Sequence, residues 1–166
     1  PSILVLFKHY LGFHCFSRFL FALLCIKNFA YLSYQMYRYL EHTADELLEV
    51  QATTLEDALQ DAVLGSFELI GKGEKEEVEA EIEVHSPNLE GLVVDLLQQV
   101  VAQCEIREIS PVGVEVLEVN GEEPMARVMV RGEHAVPPNE IKAVTYHRLK
   151  VEKKEVGWHI QVLFDV

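Results

Sequence analysis

Glu77-Val78-Glu79-Ala80-Glu81-Ile82-Glu83-Val84 is the stretch that decides the fold. Its charged and apolar residues alternate with the period of two that sends successive side chains to opposite faces of a strand. It therefore predicts a half-buried β-strand with Val78, Ala80, Ile82 and Val84 toward a core. The glutamates make a metal cluster in composition only. Alternate strand positions lie too far apart to converge on one ion, so a solvated face is the expected role. Downstream the period changes: Leu89, Leu92, Val93, Leu96, Leu97, Val100, Val101 and Cys104 recur at spacings of three and four, one face of a helix. Ser86-Pro87-Asn88 reads as its start, with Pro87 in the first turn. Upstream, Leu55, Ala58, Leu59, Ala62, Val63, Phe67 and Ile70 repeat the helical period. Thr53 with Glu56 predicts a capping box there, and Gly71 the stop.

Working outward, Val112, Val114 and Val116 alternate again, and Asn120-Gly121 before Ala126, Val128 and Val130 reads as a hairpin turn. Thr145–Val151 and Trp158–Phe164 are two further strands, joined by Lys153–Gly157. Two amphipathic helices set among sequentially adjacent antiparallel strands define an α+β domain with an antiparallel sheet.

Charge divides the chain of 166 residues more sharply than composition does. Residues 1–35 contain Lys8, Arg18 and Lys27 and no acidic residue, so the part from Met36 onward carries −16 where the whole chain carries −13. So acidic a domain repels phosphate backbones, and direct nucleic-acid binding is not expected of it; cations and basic protein surfaces are its expected partners. Of the three cysteines, Cys15, Cys25 and Cys104, only the last falls in this domain, on a helical stripe where a buried thiol is expected. That usage fits a reducing compartment and a cytoplasmic protein. Residues 1–35 are apolar and basic, yet the uninterrupted run Phe19–Ile26 is far short of the ~20 residues that span a bilayer. No secretory cleavage pattern accompanies them. They are expected to be a non-native or poorly ordered extension of a domain spanning 36–166. An interfacial helix is the second reading, and no membrane partner is expected.

Three segments depart from simple burial patterns: His42-Thr43-Ala44-Asp45, the run Glu140-Ile141-Lys142-Ala143-Val144-Thr145-Tyr146-His147, and the terminal Phe164-Asp165-Val166. An Asp165 carboxylate held beside main-chain terminal oxygens offers the hard oxygen donors that Ca²⁺ and Mg²⁺ take. A Zn²⁺ site from His42, His147 and His159 has no supporting spacing; for His147 and His159 a structural role is an equal reading.

In order along the chain, His42-Thr43-Ala44-Asp45, Thr54-Leu55-Glu56, Ile141–His147 and the final Asp165-Val166 resemble the archease family over 36–166. The resemblance implies an accessory protein, not an enzyme. Archeases assist an RtcB-type RNA ligase in tRNA splicing or RNA repair, promoting its guanylylation and multiple turnover, and carry a divalent metal, usually Ca²⁺, with Mn²⁺ or Mg²⁺ as alternatives. It further implies Asp45, Asp165 and the main-chain oxygens of Val166 as metal ligands, with Lys142 and His42 as supporting residues. Glu46, where many relatives have a less acidic, Gly-containing stretch, is either an added ligand or added negative potential. Two rival readings remain. One is a metal-dependent phosphohydrolase, against which stands the lack of a second carboxylate cluster or a nucleophile–base pair. The other is a chaperone-like interaction module, which needs an exposed apolar patch.

Overall fold

The structure, a computed structural model, describes residues 37–40 and 45–166; the expectations for residues 1–35 and for His42 lie outside the described residues. Among the described residues seven strands and two helices follow in the order β1 (Tyr37–Leu40), β2 (Asp45–Ala52), α1 (Leu55–Ile70), β3 (Val78–His85), α2 (Leu89–Ile106), β4 (Ile109–Asn120), β5 (Met125–His134), β6 (Ala143–Lys154) and β7 (Gly157–Asp165). All strand pairings are antiparallel. The strands form two sheets rather than one, four-stranded β1-β2-β7-β6 and three-stranded β3-β5-β4. Each helix touches strands of both sheets, α1 against β2 and β4, α2 against β6 and β3. One hydrophobic cluster therefore serves the whole domain, with Leu48, Val50, Phe67, Leu96, Val128 and Phe164 fully buried in it.

Local chemistry fixes the element ends. The cap of α1 lies one residue later than Thr53: Thr54 is extended, with φ −116° and ψ 160°, and its hydroxyl accepts the Asp57 N–H at 3.0 Å. Gly71 ends the helix at φ 92°, a conformation that glycine adopts without a Cβ clash. The cap of α2 is Asn88, whose side-chain oxygen accepts the Gly91 N–H at 2.7 Å. Pro87 thus precedes the cap and is outside the first turn. At the β4–β5 hairpin the connection is four residues long, and Asn120 works through its side chain, which accepts the N–H groups of Glu122 and Glu123. The last two strands run longer than their sequence pattern suggested and are joined by Glu155 and Val156 alone, with Gly157 at φ 121°. A Cβ on Gly157 would stand 2.1 Å from the Ala52 carbonyl oxygen, which requires glycine at this turn.

The β3 reading holds: Val78, Ala80, Ile82 and Val84 face inward and the glutamates outward. Those glutamates are not merely solvated. Arg131 bridges Glu79 and Glu115, and Arg127 bridges Glu81 and Glu118, so β5 supplies cations between two acidic strands. Cross-strand charge pairing of this kind supports the sheet weakly per pair.

Candidate functional site at one end of the four-stranded sheet

β2 begins at Asp45, and the β2–β7 ladder sets Asp45 directly opposite Asp165. On the other side of β7, Asp165 is opposite Ala143, the residue after Lys142. Directly opposed residues on neighbouring strands project to one face with Cβ atoms about 5 Å apart, so two carboxylates meet at this sheet end. Lys142, immediately before β6, closes the group. Its main-chain N–H donates to the Asp165 carbonyl oxygen at 2.9 Å, its Nζ donates to the Val166 main-chain oxygen at 2.7 Å, and Nζ lies 3.8 Å from Asp165 Oδ1. Asp165, Val166 and Lys142 are all solvent-accessible, whereas Phe164, one residue earlier, is fully buried. The fixed phase of β7 thus anchors the carboxylate by burying its neighbour.

Four of the five residues singled out from the sequence are therefore brought together: Asp45, Lys142, Asp165 and Val166. The fifth, His42, lies outside the described residues. Glu46 is separated from the group. Strand alternation turns it to the opposite face from Asp45, paired with Phe164 in register, where its charge helps raise the pKa of the Tyr39 hydroxyl above its ordinary value, burial being the larger cause.

Like charges opposed across a ladder repel, and Lys142 Nζ sets a positive charge beside Asp165. The donors are all oxygens, two carboxylates and a main-chain oxygen, which suits a hard divalent cation rather than Zn²⁺. Among the described residues no three His, Cys, Asp or Glu side chains converge, so any ion here would draw on main-chain oxygen or water besides Asp45 and Asp165. Among the described residues His147 and His159 do not form a second metal centre. His147 is exposed on β6, while His159 is buried in β7 with Nε2 2.9 Å from Glu49 Oε1.

That buried pair escaped sequence reading. Glu49 also accepts from Arg38 at 2.6 Å, and the hydrogen bonds from His159 and Arg38 hold its carboxyl below the usual carboxylate range. Only knowledge of the β1–β2–β7 register would have joined residues 38, 49 and 159. Cys104 is buried in α2, and desolvation pushes its thiol up to about 12, so it is an inert core group.

Fold and site together define a class: an acidic α+β domain of two antiparallel sheets, with a pair of opposed aspartates and a lysine at one sheet end. Residues 37–166 match the profile of the Archease protein family, and the chain belongs to that family. It is 37% identical over 139 residues to protein archease of Methanosarcina mazei, covering 78% of this chain and 95% of the relative. To protein archease of Methanopyrus kandleri it is 35% identical over 135 residues, covering 76% of this chain and 96% of the relative. Among solved structures the fold is shared with protein 1598 of Methanobacterium thermoautotrophicum, at a TM-score of 0.65 and 19% identity over 80% of this chain and 99% of that one. A Thermotoga maritima structure described as an archease, possible chaperone, superposes at a TM-score of 0.59 with 25% identity, covering 79% of this chain and 98% of that one. Among the described residues no helix is long and apolar enough to cross a membrane.

Proposed function

We propose that this protein is a metal-binding accessory factor that activates an RtcB-type RNA ligase, promoting its guanylylation and multiple turnover in tRNA splicing or RNA repair. The observation that carries the reading is the direct opposition of Asp45 and Asp165 across the β2–β7 ladder, beside the Val166 oxygen and Lys142. Asp45, Asp165 and the main-chain oxygens of Val166 would hold one divalent cation, with Ca²⁺ the first choice and Mn²⁺ or Mg²⁺ the alternatives. When bound, the ion supplies positive charge at an otherwise acidic sheet end. Within the chain, β7 fixes the Asp165 carboxylate through the buried Phe164, and Lys142, the residue before β6, stands at the rim of the same site. This arrangement lets a net-negative protein bring a locally neutralised edge toward a phosphate-bearing active site.

The hydrolase reading draws no comparable support, whereas the chaperone reading has the description of the Thermotoga maritima structure on its side. The described residues present one pair of carboxylates at this site rather than the two clusters a two-metal hydrolase uses. Among the described residues the large exposed apolar side chains, Ile106, Leu117, Val136, Tyr146, Val156 and Val166, lie on separate segments and form no run in sequence. The deciding experiment is ligation by an RtcB-type ligase in substoichiometric amount, with the wild-type protein and with Asp165→Ala. The account expects stimulation by the wild type and none by the variant, with far-ultraviolet circular dichroism unchanged. Full stimulation by Asp165→Ala would remove the proposal, and turnover of nucleotides or phosphoesters without ligase would favour the hydrolase.

A further inference from the structure

From Met36 onward the chain has eleven Lys and Arg residues, and five of them, Lys142, Arg148, Lys150, Lys153 and Lys154, fall between 142 and 154 with Glu152 as the one acidic residue. Four of the five lie on β6, the edge of the four-stranded sheet among the described strands, and Lys142 immediately precedes it. Ion pairing sharpens it further. In a domain with a large excess of carboxylates, seven of those eleven cations have a carboxylate partner, including Lys142 with Asp165 and Lys154 with Glu152. Among the described residues the four without an ion pair are Arg107 and, on β6, Arg148, Lys150 and Lys153.

The backbone of β6 displays these groups. Its register against β7 jumps from Thr145↔Leu163 to Lys150↔Gln161, so Tyr146–Leu149 face only Val162 and bulge from the ladder. Arg148 sits at φ 58°, an unfavourable conformation for a side-chain-bearing residue, and the bulge is pinned by the buried Gln161, whose Nε2 donates to the Arg148 carbonyl oxygen at 2.8 Å. A strained residue held in place by its surroundings is a recurrent feature of functional segments. Tyr146 is 61% exposed in the same bulge, and His147, Arg148 and Lys150 are exposed beside it.

We infer that the β6 bulge, through Tyr146, Arg148 and Lys150, is a binding surface for a single-stranded polynucleotide. Unpaired cations following the strand suit a phosphodiester chain, and an exposed aromatic ring among them offers a stacking face for a base. Strand addition by an acidic peptide fits less well, because the bulge breaks the row of edge backbone groups that an added strand would use. The net charge that argued against nucleic-acid binding averages over a surface whose cations are gathered on one edge. This inference rests on neither the metal nor the ligase, so it fails or stands separately from the proposed function.

The test is fluorescence anisotropy of a fluorescein-labelled twelve-nucleotide oligouridylate titrated with the full-length protein in EDTA at several salt concentrations. The wild type is expected to bind at low salt. Arg148→Glu/Lys150→Glu should bind at least tenfold more weakly, and Arg148→Gln/Lys150→Gln should lower the slope of log K against log salt by about 1.4, or about 0.7 for each lost phosphate contact. Tyr146→Ala should lose affinity severalfold with the slope unchanged. Circular dichroism and thermal midpoints equal to wild type establish that the variants fold, and the glutamine pair decides if the glutamate pair does not. Oligouridylate binding that is unaltered by the β6 substitutions, or no oligouridylate binding where a fluorescein-labelled polyglutamate peptide binds, would overturn the inference.

Discussion

Lys142 stands between two roles that its geometry separates. Its Nζ donates to the Val166 oxygen and lies near Asp165, so it neutralises the same oxygens that a divalent ion would use. Replacing Lys142 by Met should therefore leave Ca²⁺ affinity equal or raise it by up to about fivefold, the equivalent of about 1 kcal/mol for an exposed pair. Stimulation of the ligase should fall, so calorimetry and turnover would respond in opposite directions. Glu49 offers a test of a different kind. Its folded-state pKa lies below the ordinary value of 4.5 because His159 and Arg38 hydrogen-bond the carboxylate. The associated stability is thus present above the unfolded pKa and is lost as pH falls through the depressed folded value. Thermal midpoints measured from pH 6 down to pH 3 should decline less steeply for Glu49→Gln than for the wild type over that acidic window. Asp45, Asp165 and Lys142 were legible because they lie in segments that depart from simple burial patterns and match motifs of the archease family. Glu49 and His159 stayed hidden because 110 positions separate them and only strand register joins them.

Among the elements, both helices and β3 could be read directly, as each buries one face and shows the other to water or to a partner strand. β2 could not. Leu47 and Leu48 are both buried although they point to opposite faces, so the strand lacks the alternation that would mark it. The two-sheet arrangement was equally out of reach, because pairing partners such as β2 and β7 lie at opposite ends of the domain. Helix caps shifted by one residue, for Thr53 and Thr54 offer the same hydroxyl and the residue type does not choose between them. The choice has a measurable consequence: Thr54→Ala should cost about 1 kcal/mol in denaturant unfolding, whereas Thr53→Ala should cost a few tenths. An equal cost at both positions would contradict the assigned cap.

At the scale of the molecule, packing and site are continuous through β7. Phe164 fills the shared core while Asp165 faces out from the next position, so truncation of the ring acts on both. Phe164→Ala should destabilise the domain by about 3–5 kcal/mol, read from the chemical-denaturation midpoint. A cation that binds the folded chain alone should raise the thermal midpoint in proportion to the logarithm of its free concentration over its dissociation constant. The central claim is that Asp45 and Asp165 share one divalent ion. Isothermal titration of Ca²⁺ into metal-free protein tests it most directly, with Asp45→Asn and Asp165→Asn as comparisons. The account predicts one site in the wild type and at least a tenfold loss of affinity in each variant. No binding by the wild type, or an isotherm that neither substitution changes, would contradict it.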